Sequence, residues 1–476
     1  MDRRDFLKSS LFMLGAMSVD WPSFAAKVKT LGEPNLRIGI VSDIHITDVP
    51  SAETLRHTFE YFRDRKADGV IMAGDLADWG LESQLQIVAD TWFSVFPKDR
   101  RPDKEHIEKL FIYGNHDMDG AGWGAGEKHG MTPEEVQRQN IGKHPAEVWK
   151  RCFHEKWVPV YLKTVKGYHF VGAHWHDANN VPGLEELLDA NADKLKGTKP
   201  FFYFQHPHPR NTCNGPWAWG QDDGTVTRLL SRYPNAVAFS GHSHSPLNDE
   251  RDLWQGAFTS IGTASLRYQY PLGARENTYE DGSREHIPSQ MPIMYCQDGR
   301  QGMFMMVYDD CITLERREFV HDQPVGDNWI IPLPCTGDAP LSYERRAKEA
   351  KVPQFASGDK VTVTRGTGKD RYGTEQKQVT VHFPSVLAKR TGVRAYDYEV
   401  QVEYRYIDVT MIAATKRVFS PKCYLGEAQD EGEVICVYGE TELPEYRDVR
   451  FVVRPCECFG KKGNPIYSDW VKGREG

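Results

Sequence analysis

The chain has 476 residues, of which 39% are hydrophobic, and its formal net charge is −8 at pH 7. A chain of this length and composition can bury a large core and has room for two domains, which excludes a fibre, a disordered tail and a membrane bundle. Because the net charge is negative and no Lys/Arg-rich run is present, a long nucleic acid is not expected as a partner.

Residues 1–25 have the features of an export signal. The pair Arg3-Arg4 precedes a short apolar run, residues 11–19, and Ser23-Phe24-Ala25 then offers small residues for cleavage. This pattern resembles a bacterial twin-arginine signal, which implies transient contact with the twin-arginine export machinery and delivery to the periplasm. The alternatives are an ordinary basic leader or a disordered start. The apolar run is shorter than the about 20 residues that span a bilayer, so no transmembrane anchor is expected.

Residues 35–322 alternate apolar strand-like runs with helical patterns, which predicts an α/β layered sandwich. Between the first two strands, Ser51 to Lys66 has apolar residues at helical spacing and predicts a helix with Ser51 as its N-cap. The predicted strands are Ile38 to Val41, Val70 to Ala73, Leu110 to Tyr113, Tyr168 to Ala173, Phe201 to Phe204 and Val237 to Phe239.

The pattern of residue types changes after residue 322. Residues 323–352 are rich in Pro and in charged side chains and predict a linker. Residues 353–476 contain runs of alternating polarity, which predict a smaller all-β sandwich domain. Its ending, residues 450–455 followed by residues 459–468, resembles the last hairpin of a fibronectin type III domain.

Five motifs with potential metal ligands follow predicted strands in a fixed order. They are Asp43-Ile44-His45, Gly74-Asp75, Gly114-Asn115-His116-Asp117, His206 and Gly241-His242-Ser243-His244. Because open α/β sheets gather their sites at the carboxyl ends of strands, ligands distant in sequence can meet there. Any one of these residues alone would more often be a hydrogen-bonded structural group. The complete set supplies oxygen and nitrogen ligands for two adjacent cations, an arrangement used in phosphoester hydrolysis.

The ordered motifs resemble those of the calcineurin-like metallophosphoesterase family, over roughly residues 36–320. The resemblance implies a bridging Asp75, one metal held also by Asp43, His45 and His244, and a second held also by Asn115, His206 and His242. The neighbouring His208 is the alternative to His206, because Gln205-His206-Pro207-His208-Pro209 contains two imidazoles. Such mixed ligation suits two divalent or trivalent ions, Mn, Fe or Zn.

The resemblance also implies roles for two residues outside the ligand set. His116 would stabilise charge on the transferring phosphoryl group or protonate the leaving oxygen. Asp78, three positions after the bridging Asp75, would orient His116. The alternatives are a structural turn residue for His116 and a helix-capping residue for Asp78.

Two departures from the protein phosphatases of this superfamily bear on the substrate. Those enzymes have Arg after the second acidic residue and Glu at the end of the third motif, whereas this chain has Trp79 and Asp117. The missing Arg removes a bidentate phosphate clamp, so phosphoprotein hydrolysis is disfavoured. We expect hydrolysis of a phosphodiester in a small molecule, such as a cyclic nucleotide or a glycerophosphodiester, by a hydroxide that bridges the metals. The alternatives are a phosphomonoesterase for nucleotides or sugar phosphates and a catalytically idle binding protein of the cell envelope.

Residues 120–130 are Gly-rich, contain Trp123, and are predicted to form either a mobile flap over the metals or a floppy insertion. Two aromatic segments, His174-Trp175-His176-Asp177 and residues 214–220, are expected near the rim of the pocket. Their aromatic rings would stack on a base or a sugar of the substrate, or would simply cap an edge of the core. No catalytic role is assigned to them.

Overall fold

The computed structural model describes residues 32–176, 181–216, 218–271, 296–370 and 372–474, and the backbone of two short strands between residues 271 and 296. The predicted signal, residues 1–25, lies outside the described residues. Within the described residues, no helix combines the length and the apolar character needed to cross a membrane. The chain divides into two compact units, Met1–Pro271 with Met294–Arg345, and Leu272–Ile293 with Arg346–Gly476.

The strands of residues 32–345 are labelled β1 to β15 in chain order. They are β1 Leu36–Val41, β2 Gly69–Ala73, β3 Glu108–Ile112, β4 Val160–Val165, β5 Tyr168–Ala173, β6 Phe201–Phe204, β7 Ala236–Ser240, β8 Leu253–Gln255, β9 Thr259–Gly262, β10 Arg275–Thr278, β11 Arg284–Ile287, β12 Gln301–Val307, β13 Cys311–Glu318, β14 Gln323–Pro324 and β15 Trp329–Pro332.

The helices, also labelled in chain order, lie mainly between the strands of the first unit. They are α1 Glu53–Asp64, α2 Glu82–Val95, α3 Asn115–Asp119, α4 Ala125–His129, α5 Pro133–Gln139, α6 Pro145–Phe153, α7 Leu184–Ala190, α8 Ala192–Leu195, α9 Thr225–Leu230, α10 Tyr343–Glu349 and α11 Ala388–Thr391.

Two mixed sheets form the centre of the first unit. The first has the strand order β14-β13-β12-β1-β2-β3, with β15 also paired to β13, and the second has the order β4-β5-β6-β7-β9-β8. The neighbours β1, β2 and β3 run parallel, as do β5, β6, β7 and β9. Parallel neighbours place the loops after their carboxyl ends at one edge of each sheet, where the predicted motifs lie.

Apolar side chains join these sheets to each other and to the helices. Ile38 and Ile71 of the first sheet share one buried cluster with Phe202 and Phe239 of the second. A second cluster packs α1, α2 and α6 on the other face of the first sheet. A third packs α7, α8 and α9 on the outer face of the second sheet. The order is therefore helix, sheet, sheet, helix, and the predicted α/β layered sandwich is confirmed.

The predicted start of α1 is wrong. Ser51 lies in a short 3-10 turn, Pro50–Ala52, and the α-helix begins after Ala52, which provides no side-chain cap. The Ser51 hydroxyl instead accepts the N–H groups of Thr47 and Asp48, at 3.0 and 3.1 Å. Ser51 thus closes the loop after the first motif, a use of serine that competes with helix capping.

The segment that the sequence predicts as a linker, residues 323–352, contains ordered strands. In register with β13, β15 places Ile331 opposite Ile312 and Trp329 opposite Leu314. These side chains are buried in the cluster between the two sheets. Alternation over only four residues between prolines is too short a pattern to have predicted this strand.

The second unit contains two further antiparallel sheets. Their strands are β16 Thr362–Lys369, β17 Glu375–Pro384, β18 Asp397–Tyr406, β19 Val409–Phe419, β20 Glu433–Gly439, β21 Asp448–Cys456, β22 Ile466–Tyr467 and β23 Val471–Lys472. The sheet orders are β16-β17-β20 and β19-β18-β21-β22, with β23 also paired to β21. Val381 and Cys436 of the first sheet share a buried cluster with Val400 and Val453 of the second. The predicted all-β domain is confirmed, and its likeness to a fibronectin type III domain stays a prediction.

Candidate metal centre

Backbone hydrogen bonds hold the loops of the first and second motifs side by side. The N–H of Asp43 donates to the carbonyl of Gly74 at 3.0 Å, and those of Ile44 and His45 donate to the carbonyl of Asp75 at 2.8 and 3.0 Å. These donors follow β1 and the acceptors follow β2, so the loops continue the pairing of two parallel strands. The side chains of both motifs are thereby fixed relative to each other.

The third and fifth motifs attach to this pair through the carboxylates of the first two. The N–H of His242 donates to both carboxylate oxygens of Asp43, at 3.1 and 3.0 Å. The N–H of His116 donates to Asp75 Oδ1 at 2.8 Å. The buried Asp117 carboxylate accepts the N–H groups of Gly114, Leu76 and Ala77, which ties the third motif to the second. The acid at the end of the third motif is therefore a positioning residue.

Three groups of side chains converge at this junction. They are Asp43 with His45 and His244, Asp75 with His206 and His242, and His45 with Asp78 and His116. Within each group, one potential ligand atom per residue lies within 4.8 Å of the others. The first two groups correspond to the two predicted metal sites.

Close distances connect the two groups. His244 Nε2 lies 2.9 Å from Asp43 Oδ1, and His206 Nε2 lies 3.0 Å from Asp75 Oδ2. His45 Nε2 is 3.7 Å from the same Asp75 oxygen, while His206 Nε2 is 3.8 Å from Asp43 Oδ1. Asp75 therefore contacts members of both groups, as a bridging carboxylate must. The clusters fit a two-metal site.

Asn115 provides an independent test of this fit. Its Oδ1 is buried and, within the described part of the chain, has no hydrogen-bond partner. A buried amide oxygen without a partner is costly, and a cation is a natural partner for it. Asn115 directly precedes His116, whose N–H is bound to Asp75, so this amide belongs to the same junction. The Asp and His clusters thus fit two metal ions, and the buried, unpartnered Asn115 oxygen is consistent with its predicted role as a ligand of one of them.

Acceptors around the site fix the imidazole tautomers. The Nδ1–H groups of His45, His206 and His244 donate to Asp78 Oδ1 at 3.0 Å, to the Ala73 carbonyl at 2.8 Å and to the Tyr268 carbonyl at 3.2 Å. Because a carbonyl or a carboxylate can only accept, the neutral form of each ring carries its lone pair on Nε2, the nitrogen that would bind a metal.

His242 differs from these three histidines, because Nδ1 is its ring nitrogen nearest to the other ligands. Its Nδ1 lies 3.2 Å from His206 Nε2. These two nitrogens and the Asp75 carboxylate make up one predicted ligand group.

The geometry favours His206 over His208 as the ligand. His208 lies outside the three groups, and its Nε2 is hydrogen-bonded to the Ser243 hydroxyl at 2.8 Å. Ser243 lies between His242 and His244 in the sequence, so its hydrogen bond to His208 helps to fix the position of the fifth motif. Burial lowers the pKa of His208 to about 4, which keeps this imidazole neutral.

The structure gives Asp78 a different partner from the predicted one. Its Oδ1 is 3.0 Å from His45 Nδ1 but 3.8 Å from His116 Nδ1. His116 instead donates from Nδ1 to the backbone carbonyl of Asp78, at 2.7 Å. The Asp78 carboxylate thus orients a predicted metal ligand, and its backbone orients His116. Sequence spacing identified the residue but not which of its groups acts on which imidazole.

The ligand residues have unusual backbone conformations. A positive φ, between 47° and 68°, occurs at Asp43, His45, Asp75, His242 and His244. Residues with a Cβ rarely adopt this left-handed region, although Asp and His do so more often than most. Such conformations persist only where surrounding contacts over-determine them, and they cluster at functional sites.

Glycines make room for the ligands. A Cβ on Gly241 would overlap the Asp43 carboxylate and the Ser42 hydroxyl, and one on Gly114 would overlap the Asp75 carboxylate. At Gly74, which has φ of +94°, a Cβ would lie 2.5 Å from His206 Nδ1. Each of these three glycines is therefore required, because a ligand of another motif lies too close to leave room for a side chain.

The buried carboxylates and imidazoles of the site shift one another's pKa values. Burial acts to raise the pKa of Asp43 and Asp75, but neighbouring histidines, chiefly His244 for Asp43 and His206 for Asp75, hold both pKa values below the ordinary one. Burial acts to lower the pKa of His206, yet Asp75 and Asp43 raise it to about 9. Burial lowers the pKa of His45, and lowers that of His242 to about 3.

Aromatic rings surround the site, and sequence reasoning missed two of them. The Tyr268 ring packs against His244 with centroids 4.3 Å apart and planes tilted by 40°, and the Tyr270 ring lies 6.3 Å from that of Trp219. Both tyrosines follow β9 in a loop without any motif. The only sequence signal was their position after the end of a strand.

Comparison with known proteins identifies the first part of the chain. Residues 36–246 match the model of the calcineurin-like phosphoesterase family. This segment includes all five motifs, so the chain carries a calcineurin-like phosphoesterase domain. None of the curated proteins matches the chain.

Several solved structures are similar to the chain at low identity. A dimetal phosphatase from Danio rerio is 11% identical, with a TM-score of 0.35, and the alignment covers 63% of this chain and 99% of that one. A predicted phosphoesterase from Streptococcus pneumoniae is 12% identical, with a TM-score of 0.27 and coverage of 64% and 99%. A purple acid phosphatase from yellow lupin (Lupinus luteus) seeds is 15% identical, with a TM-score of 0.37 and coverage of 63% and 55%.

The close approach at Gly241 leads to a first prediction. Gly241→Ala should reduce the bound metal of the purified protein to well below that of the wild type, because the new methyl group displaces the Asp43 carboxylate. Elemental analysis after dialysis against metal-free buffer measures the loss. Gly366→Ala is the matched control, since a Cβ there has nothing within 4 Å. Full metal content in Gly241→Ala would show that Asp43 is not a ligand.

The raised pKa of His206 leads to a second prediction, for protein stripped of metal with a chelator. Below about pH 9 its imidazole is protonated, and a metal must displace that proton. His45 and His242, with lowered pKa values, are already neutral at pH 7 and release nothing. The apparent affinity for Mn²⁺ should therefore rise as pH increases from 6.5 to 8.5, by about tenfold per pH unit.

An indicator dye in weakly buffered solution measures the proton released during the Mn²⁺ titration. Proton release at pH 7 agrees with linkage between metal binding and the loss of a proton from His206. Binding without release would contradict the assignment of His206.

Proposed function

We propose that the chain is an exported dinuclear-metal phosphoesterase that hydrolyses a phosphodiester bond in a small molecule. The observation that carries this proposal is the position of Asp75 between two groups of ligands, with His116 beside them. His45 and His116 lie 4.4 Å apart between ring centroids. Cyclic nucleotides and glycerophosphodiesters are the compound classes to test. The assignment of two Mn, Fe or Zn ions is part of the proposal.

Bound metals would supply a Lewis-acid centre that activates water and neutralises phosphoryl charge. In the reaction, the oxygen of water attacks phosphorus, the bond from phosphorus to the leaving oxygen breaks, and the leaving oxygen takes up a proton. As an imidazolium, His116 would donate that proton from Nε2 while its Nδ1–H stays bound to the Asp78 carbonyl. The proton lost by the attacking water restores the charge of the ring. The His116 side chain is 31% exposed, so substrate can reach it.

Trp79 supports a diester rather than a phosphoprotein or another monoester. Its N–H donates to Gln84 Oε1 at 2.8 Å, and its ring packs against His129 at 5.8 Å. No guanidinium is available from this position to clamp a terminal phosphate in bidentate fashion. A diester carries one negative charge fewer than a monoester dianion and has less need of such a clamp.

Export is the second element of the proposal, and it rests on the Arg3-Arg4 pattern of residues 1–25. Replacement of this pair by two lysines should retain the chain in the cytoplasm, and cell fractionation detects the change. Equal periplasmic amounts of both forms would argue against a twin-arginine route.

Two substitutions separate the catalytic from the positioning role at this site. His116→Ala should lower turnover by about 10²- to 10⁴-fold, the usual contribution of a general acid, with metal content intact. Asp78→Ala should instead weaken metal affinity by about 10- to 100-fold, because His45 loses the acceptor of its Nδ1–H. Parallel measurement of turnover and metal content distinguishes them, with Asp75→Asn as the inactive control. Loss of metal in His116→Ala would refute the assigned role.

Substrate preference tests the reaction class. The mature chain, stripped of metal and reloaded with Mn²⁺, should hydrolyse an aryl phosphodiester faster than the matching aryl phosphomonoester. A preference for the monoester would support a phosphatase instead. No turnover of either ester with two metals bound would favour a binding protein.

A further inference from the structure

Three tryptophans lie against the two ends of the candidate metal centre. Trp123 contacts His116 with ring centroids 4.9 Å apart, next to the group that contains His45. Trp219 and Trp175 contact His242, at 4.9 and 5.9 Å, in the group that contains Asp75. Indole rings therefore adjoin both the proposed general acid, His116, and the predicted metal ligand His242.

Two of these indoles are unusually exposed. Trp123 and Trp219 are each 49% exposed. Tryptophan is a large apolar side chain that is highly buried on average. Exposed indoles that adjoin catalytic groups are suited to contact a ligand, since they offer a wide flat face at a low cost in conformational entropy.

Beside His242, the Trp175 indole is held by a hydrogen bond, and the backbone next to Trp219 is anchored. Trp175 donates from Nε1 to Asp119 Oδ2 at 2.8 Å, and its own N–H donates to the Tyr113 carbonyl at 3.0 Å. The backbone around Trp219 is anchored by the N–H of His208, which donates to the carbonyl of Gly220 at 2.8 Å. This end of the pocket is a preformed surface.

Resting on the proposed function, we propose that the substrate is a phosphodiester with a planar aromatic ring, a nucleobase-type group, that stacks on Trp219 beside Trp175. The leaving oxygen lies at the other end, near His116 and Trp123. Stacking on indole tolerates any base, because every base has a π-face. A polyol such as glycerol would be recognised mainly by hydrogen bonds, whereas the side chains described against His242 at this rim are aromatic.

The test uses the Mn²⁺-loaded full chain and three p-nitrophenyl diesters that share one leaving group. Their second substituents are thymidine, methyl and choline. Trp219→Ala should raise KM for the thymidine ester by about tenfold or more, in line with the loss of one stacked base, and leave kcat nearly unchanged. The methyl ester, which has no base to stack, should lose far less in kcat/KM than the thymidine ester. Trp219→Phe should recover most of the affinity, which distinguishes stacking from a folding defect.

Equilibrium binding provides a readout besides activity. Calorimetry should show that Trp219→Ala weakens thymidine 5′-monophosphate by a similar factor but leaves methyl phosphate unchanged. Tyr446→Ala removes an aromatic of the second unit that is 78% exposed, and it should change neither.

Each alternative outcome has a distinct meaning. Equal loss on the thymidine and methyl esters would overturn the stacking role of Trp219. Loss confined to the choline ester would overturn the planar ring in favour of a cation held against the indole faces. If the wild type hydrolyses none of the diesters, the proposed function itself fails. Turnover of the methyl ester with no gain from thymidine would overturn only the present inference.

Discussion

The left-handed backbone of the ligand residues is the constraint on which this site depends. Asp43, His45, Asp75, His242 and His244 all have positive φ. In an isolated peptide each such residue would relax, because the conformation costs roughly 1–2 kcal/mol for a residue with a Cβ. In the fold it is maintained by hydrogen bonds between motifs, such as those from Ile44 and His45 to the Asp75 carbonyl. Neighbouring parallel strands make this possible by bringing the loops into register.

The left-handed backbone also explains how two ligands of the same motif, separated by one residue, direct their side chains to one site. Asp43 and His45 both lie beyond the end of β1, outside the regular alternation of a strand. The positive φ at both residues turns the chain, so that Ile44 packs in the apolar core while the side chains of Asp43 and His45 face the candidate metal centre. His242 and His244 repeat this arrangement around Ser243. The repeated pattern of ligand, spacer and ligand is thus a loop conformation and not an extended strand.

Much of this arrangement was predictable from residue types, and the remainder depends on tertiary contacts. Apolar runs predicted β1, β2 and β3 because these strands are buried on both faces. The rule that sites gather after parallel strands predicted that the motifs meet at one edge, whereas the division into two ligand groups, with Asp75 and His206 in one of them, was implied by the resemblance to calcineurin-like metallophosphoesterases. The choice of His206 over His208 could not, because it depends on which imidazole faces Ser243.

The errors have the same physical origin. The partner of Asp78 depends on whether its carboxylate or its carbonyl reaches an imidazole, a matter of ångströms that spacing does not encode. Ser51 satisfies the criteria for an N-cap, yet the loop after the first motif uses its hydroxyl. At Ser51, the need to close this loop overrides the local propensity for helix capping.

The electrostatics link metal binding to the stability of this strained region. Asp43 and Asp75 are buried carboxylates whose like charges oppose each other, and in the absence of metal the imidazolium of His206 lies between them, 3.8 and 3.0 Å away. A bound cation would take over the role of that proton, with more charge and with Asn115 as an added partner. Because the unfolded chain cannot hold this geometry, metal binding increases the free energy of unfolding. The proposed export route, which carries folded proteins, would therefore favour the chain that has already bound its metals, and the cytoplasm would determine which ions those are.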